Sequence, residues 1–325
     1  MWPAVAVFLL NPPPALLRCR CARCWRQGSR HAQWAFSEIL GFKRDPQFPY
    51  APGANPLAED APVETLIDLM QANRVSRTVI IQVIHYRWDN SYLAGVLKRY
   101  PTLFKAVCRV NPEDPVAPDH LGRLIADGFH GVRLSPAATP ADDWIRGPLM
   151  PPLWRRCNEL KTPMTVLAPV TRLPDLVPLI EANPELTVVI DHMADCPLDR
   201  PDQLKLLLDM ARYPKVYLKI SDMWVLSRQA YPYPDAQNQV KRLLAHFGAR
   251  RLMWATNWPV SLSQFPYERV VELYCDRLNF LSRDEREEIL SGTVQRVWPF
   301  GLSTSEAIPL TGLRRQKERP FACNA

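Results

Sequence analysis

Glycine is scarce in this chain, 12 residues in 325. No apolar strand-like run is followed by a glycine-rich loop. That removes the usual support for a nucleotide-binding α/β fold, whose phosphates must approach bare backbone. Long apolar runs are missing too. The run from Trp2 to Leu10 is far shorter than the roughly 20 residues that span a bilayer as a helix. No Lys or Arg precedes it, and Pro12, Pro13 and Pro14 follow it, which fits a secretory signal poorly. A cytoplasmic protein without a membrane partner is expected. The net charge of +7 does not describe a basic groove. Five arginines without an acid in residues 1–35, and four basic against two acidic residues in 301–325, account for all of it. Residues 36–300 are neutral, so no nucleic-acid partner is expected.

The eight cysteines include Cys19, Cys21 and Cys24, but no second Cys or His pair follows at zinc spacing. Cys108, Cys157 and Cys275 sit in apolar patterns, as small core residues do in a reducing compartment. There is no internal repeat.

What is plentiful is proline, at 33 residues, and apolar side chains, at 47%. From residue 60 onward, strand-like and helix-like segments alternate. The strand candidates are Thr78–Val83, Phe104–Val110, Gly131–Leu134, Met164–Leu167, Thr187–Asp191, Val216–Ile220 and Arg251–Ala255. They are compact and β-branched, as strands buried on both faces are. Helical periodicity is predicted over 63–74, 90–99, 117–127, 150–161, 174–183, 201–212, 236–247, 266–279 and 283–291, with Pro151, Pro174 and Pro234 near helix starts. Such alternation implies a parallel sheet. An eighth strand, from Val5–Leu10 or from His31–Phe36, would close an α/β (β/α)8 TIM barrel, distorted and with an irregular N-terminal segment. An open doubly wound sheet is the alternative. The expected organisation is an irregular basic segment over 1–40, the barrel over 41–300 and a basic tail over 301–325.

In such barrels the chemistry sits at the carboxyl ends of the strands. Those ends here carry Gln82, His85 and Asp89, then Arg133 and Ser135, then Asp191, His192 and Asp195. Lys219, Ser221 and Asp222 follow, and finally Thr256 and Asn257. His192 follows a buried strand and suits a metal ligand, an acid–base group or a structural cap. Arg133 stands inside an apolar run. Its charge cannot be removed, so it needs an anion, either an internal carboxylate or one on a substrate. Asp89 and Asn90 are read as helix caps, and His85 as a site residue.

Four segments resemble, in order and spacing, motifs of the amidohydrolase-related family, in its dicarboxylate-lactonase branch. They are Gly131-Val132-Arg133-Leu134, Val189-Ile190-Asp191-His192, Val216 to Ser221, and Thr256-Asn257-Trp258-Pro259. The resemblance covers residues 46–300. It implies a metal-dependent TIM-barrel hydrolase in which water attacks the carbonyl of a small carboxylated lactone, or of a related ester or amide. Carried over, His192, Asp191 and Asn257 are the catalytic candidates. His85, Arg133, Ser135, Lys219 and Ser221 contact the substrate.

Two departures stand out. The family's opening His-x-His is reduced to His31, followed two residues later by Gln33, and the fifth strand, Met164–Leu167, holds no histidine. The expected cofactor is therefore none, or one weakly held zinc or manganese on His31 and His192. Asn257 occupies the position of the family's catalytic Asp, and an amide cannot take up a proton at neutral pH. That leaves an impaired enzyme as one expectation. An inactive barrel that binds a small acid or a partner protein, and a decarboxylase of the same superfamily, are the alternatives. Homo-oligomerisation stays open.

Overall fold

A computed structural model describes residues 46–54, 60–135 and 144–301, together with the backbone of 33–38. These residues lie in one compact unit, His31–Ala325. Cys19, Cys21, Cys24, His31 and the tail from 302 onward lie outside the described residues.

Eight parallel strands pair in sequential order, β1 to β8. They are β1 (Gln33–Glu38), β2 (Val75–Ile81), β3 (Phe104–Cys108), β4 (Gly131–Leu134), β5 (Met164–Val166), β6 (Val188–Ile190), β7 (Val216–Lys219) and β8 (Leu252–Met253). Helices α1 (Val63–Ala72), α2 (Ser91–Arg99), α3 (Ala117–Ala126), α4 (Met150–Glu159), α5 (Leu173–Ala182) and α6 (Pro201–Asp209) alternate with them. The short α7 (Met223–Leu226) and α8 (Pro234–Phe247) join β7 to β8. This is the (β/α)8 TIM-barrel architecture that the sequence implies. The second of the two candidate segments supplies the missing strand, since Ala35 and Phe36 of β1 stand in parallel register with Thr78 and Val79 of β2. The sheet thus begins ahead of residue 41.

Burial on the strands has period two, because successive side chains leave opposite faces of a sheet. Ile80, Val132, Leu134, Ile190 and Leu218 pack into the layer of helices. Val79, Ile81, Val107, Val189, Tyr217 and Met253 form a separate cluster, which fills the barrel interior together with Val294, Val297, Trp298 and Phe300.

That plug explains why the last helical segment outruns its expected end at 291. The segments α9 (Tyr267–Glu272), α10 (Arg283–Glu287) and α11 (Thr293–Val297) are interrupted or joined by π turns at Leu273–Arg277 and Glu288–Gly292. The chain then carries Trp298 under the barrel, where its Nε1 donates to the carbonyl of His130 at 3.0 Å. Gly131 makes room for it, since a Cβ there would stand 3.0 Å from Val107 and 3.2 Å from the Trp298 indole nitrogen. No helix among the described residues is long and apolar enough to cross a membrane.

Candidate active site

The same parity that sends Val107, Gly131, Val189, Tyr217 and Ala255 inward sends Arg109, Arg133, Asp191, Lys219 and Asn257 inward one step further along their strands. Each of these five polar residues stands two positions after an inward small or apolar one, at the carboxyl end of the barrel. All five are buried, with Lys219 and Asp191 fully so.

Asp191 lies between two cations. Arg133 Nε donates to its Oδ2 at 3.0 Å, and Lys219 Nζ stands 2.5 Å from its Oδ1. Burial by itself would raise the Asp191 carboxyl. Lys219 and Arg133 outweigh burial and hold it well below the usual carboxylate range. Burial, together with the charge of Arg133, lowers Lys219 to about 8 against the pull of Asp191. The internal partner for Arg133 is therefore Asp191. A buried cluster of this kind is costly to break, because removing one member strands a charge away from water.

His192 Nδ1 pairs with Ser221 Oγ at 2.7 Å and lies 3.3 Å from Asp222 Oδ2. Burial is the main reason its pKa falls to about 3, so the imidazole is neutral at physiological pH. The turn that presents it is strained. His192, Met193, Ala194 and Asp195 all have positive φ, between 48° and 54°. Such backbone costs an ordinary side chain roughly 1–2 kcal/mol per residue and clusters at functional sites. Hydrogen bonds from Ala194 N to the Asp191 carbonyl and from Cys196 N to the Met193 carbonyl hold it in place.

Asn257 also has positive φ, 51°, a conformation that asparagine tolerates better than most residues. Its Nδ2 donates to Asp222 Oδ2 at 2.8 Å. Burial, followed by the charge of Asp195, raises the Asp222 carboxyl to about 8. Asp195 itself is raised to about 6, by burial and then by Asp191. The residue as a whole is open to solvent, which screens its charge more than that of the buried Asp222.

The expected site residues did not include Arg109. Its guanidinium is 1% exposed and donates to Ser135 Oγ at 2.5 Å. It lies 5.2 Å from the centre of the Trp88 ring. Its Nε is buried without a partner. Burial and the charge of Arg133 lower it to about 9, still protonated at neutral pH. The signal was present in the sequence: Arg109 ends the Phe104–Val110 run just as Arg133 sits within its own.

The structure thus brings together Arg133, Asp191 and Lys219, and joins His192 to Ser221 and Asp222. Ser135 meets Arg109. His85 is tied elsewhere. It lies in the turn Ile84–Tyr86, its ring centre 5.4 Å from that of Tyr50, and its carbonyl accepts from Ala51 N. Burial lowers its pKa, and its Nδ1 has no partner. A cleft of about 540 Å³ opens beside Trp88, Arg109, Asn111, His120 and Arg123. Arg109 lines it but His192 and Asp222 do not, so it lies beside the polar cluster rather than over it.

Residues 30–300 match the amidohydrolase family model. The chain belongs to the amidohydrolase family. It is 27% identical to the L-fucono-1,5-lactonase of Burkholderia ambifaria, over 82% of this chain and 90% of that protein. It is 25% identical to the 4-sulfomuconolactone hydrolase of Hydrogenophaga intermedia, over 66% of this chain and 71% of that one. A putative 2-pyrone-4,6-dicarboxylic acid hydrolase from Pseudomonas putida has the same fold, with a TM-score of 0.71 and 24% identity, covering 83% of this chain and 98% of that one.

Members of this family typically use a divalent metal. Among the described residues, no group of three or more His, Cys, Asp or Glu is placed to hold one. The charges argue the same way. The most buried carboxylate, Asp191, is already neutralised by two cations, and Arg109 adds a third positive charge nearby. These side chains do not fit a divalent ion.

Proposed function

We propose that this amidohydrolase opens a small carboxylated lactone, or a related ester or amide, by water attack on the carbonyl. One observation carries the substrate class: Arg109 is a buried guanidinium with no carboxylate among its hydrogen-bond partners. A charge that cannot be discharged by losing its proton needs an anion, and a substrate carboxylate supplies one through a charge-assisted bond. Ser135 and the Trp88 ring hold the guanidinium ready for it. Arg133 and Lys219 are mostly committed to Asp191, and they make the surroundings positive enough to favour an anion. The two relatives named above both open lactones, and one of them acts on a sulfonated one, which supports the reading.

Within it, Asp191 organises Arg133 and Lys219, Ser221 orients His192, and the neutral His192 ring polarises the scissile carbonyl. The test is acid release from matched pairs of five- and six-membered lactones, each with and without a carboxylate. Hydrolysis that favours the carboxylated member is expected. No acid release from any pair would overturn the reading.

A further inference from the structure

In this chain the residue at the base position of the last strand cannot act as a base. Asn257 carries an amide, and its nitrogen is spent as a donor to Asp222 Oδ2 at 2.8 Å. That bond places a carboxylate one hydrogen bond away from the missing one, on the neighbouring strand end.

The remaining carboxylates near His192 are less suited. Asp191 lies between the charges of Arg133 and Lys219, which make it a weak base. Asp195 is exposed to solvent. Asp222 is different on both counts. It is 7% exposed, and its second oxygen, Oδ1, is buried with no hydrogen-bond partner. A buried carboxylate oxygen left without a donor is uncommon and asks for an explanation. Oδ1 is thus the oxygen of Asp222 left to accept a proton, beside a histidine 3.3 Å from the other oxygen.

We propose that Asp222 is the general base of this enzyme and that Asn257 is its positioning residue: the catalytic carboxylate has moved from the end of β8 to the end of β7. The inference rests on the hydrolase reading above. Asp222 takes a proton from water as the water oxygen bonds to the lactone carbonyl carbon, and the carbonyl π pair moves onto its oxygen. The tetrahedral adduct collapses, the bond from that carbon to the ring oxygen breaks, and the ring oxygen recovers the proton from Asp222. One water is consumed and one hydroxy acid is formed.

The experiment compares the wild type, Asp222→Asn, Asn257→Asp and the double exchange Asp222→Asn with Asn257→Asp. All four are tested on the same matched lactone pairs, with melting temperatures as a check of folding. The double exchange keeps the atom count and the hydrogen bond while reversing which side carries the charge. Asp222→Asn is expected to lower kcat on the order of 10²–10⁴-fold with KM little changed, as loss of a base does. The double exchange is expected to recover at least about tenfold of that loss, which a purely structural defect at 222 would not.

Asp222→Asn activity within about tenfold of the wild type would overturn the assignment while leaving the hydrolase reading intact. So would a folded double exchange no better than Asp222→Asn. Activity confined to the two variants with the Asn257→Asp change would overturn both readings, because the wild type would then open no lactone. No acid from any of the four proteins on any lactone would overturn the hydrolase reading, and this inference with it.

Discussion

Asn90 and Arg109 exchange two hydrogen bonds. The Arg109 backbone nitrogen donates to Asn90 Oδ1, and Asn90 Nδ2 donates to the Arg109 carbonyl, both at 3.0 Å. The sequence pattern suggested a helix cap for Asn90, and it does sit at the cap position of α2, but its side chain makes no cap bond there. The amide instead mimics one more strand beside β3 and fixes the backbone from which Arg109 reaches Ser135. Asn90→Ala would leave two buried backbone groups unpaired, at a cost of about 1–3 kcal/mol each at most. The expected result is a raised KM for a carboxylated lactone with kcat much less affected, measured by steady-state kinetics. A fall in kcat with KM unchanged would mean that Arg109 is not held for substrate binding.

Arg109 itself offers the sharper version. Arg109→Gln keeps a donor near Ser135 and removes the charge. For a substrate carboxylate held by a charge-assisted bond, the loss is about 1.5–3 kcal/mol, or roughly 10- to 100-fold in KM. The matched neutral lactone should be almost unaffected. A similar loss on both members of the pair would show that the guanidinium supports the barrel rather than the ligand.

Asp191 tests a different claim, that it organises the site and does not itself take a proton. It is fully buried between Arg133 and Lys219. Asp191→Asn would strand two cations, and breaking a buried pair of this kind typically costs about 3–5 kcal/mol. A fall in the urea midpoint is expected alongside any loss of rate. Undiminished stability with only kcat reduced would instead make Asp191 the base. Lys219→Met is the milder companion, because Asp191 keeps Arg133.

The barrel was readable because its strands are short, β-branched and buried on both faces, so Val188-Val189-Ile190 and Val216 to Lys219 announce themselves without context. The first strand was harder. Gln33–Glu38 mixes polar and apolar residues and is recognised mainly by its partner, β2. The site was legible as a set of strand ends but not as a set of pairs. Nothing in the spacing says that Arg133 faces Asp191 across 58 positions, or that Asn257 faces Asp222 across 35. The first pairing follows from strand order and a common inward parity, the second from the left-handed turn at Asp222 just beyond β7, and only the folded sheet makes either visible. Arg109 was missed for the same reason: its partner Ser135 comes from the next strand.

The response of stability to pH separates His192 from Asp222, because their shifts have opposite signs. His192 falls from 6.5 to about 3 on folding. Between those values the unfolded chain binds the extra proton, so stability is present above 6.5 and is lost as pH falls through that window. Asp222 rises from 3.8 to about 8. Here the folded chain binds the extra proton, so stability is greatest below 3.8 and is lost as pH rises towards 8. His192→Gln should therefore flatten the acid limb, while Asp222→Asn should gain on the wild type as pH rises. The second difference is expected to reach on the order of 2 kcal/mol between about pH 5 and about pH 8. Urea midpoints of the three proteins across that range provide the measurement. A difference between Asp222→Asn and the wild type that stays constant with pH would mean that Asp222 is already ionised in the folded protein at pH 5, with nothing left to titrate on the alkaline side.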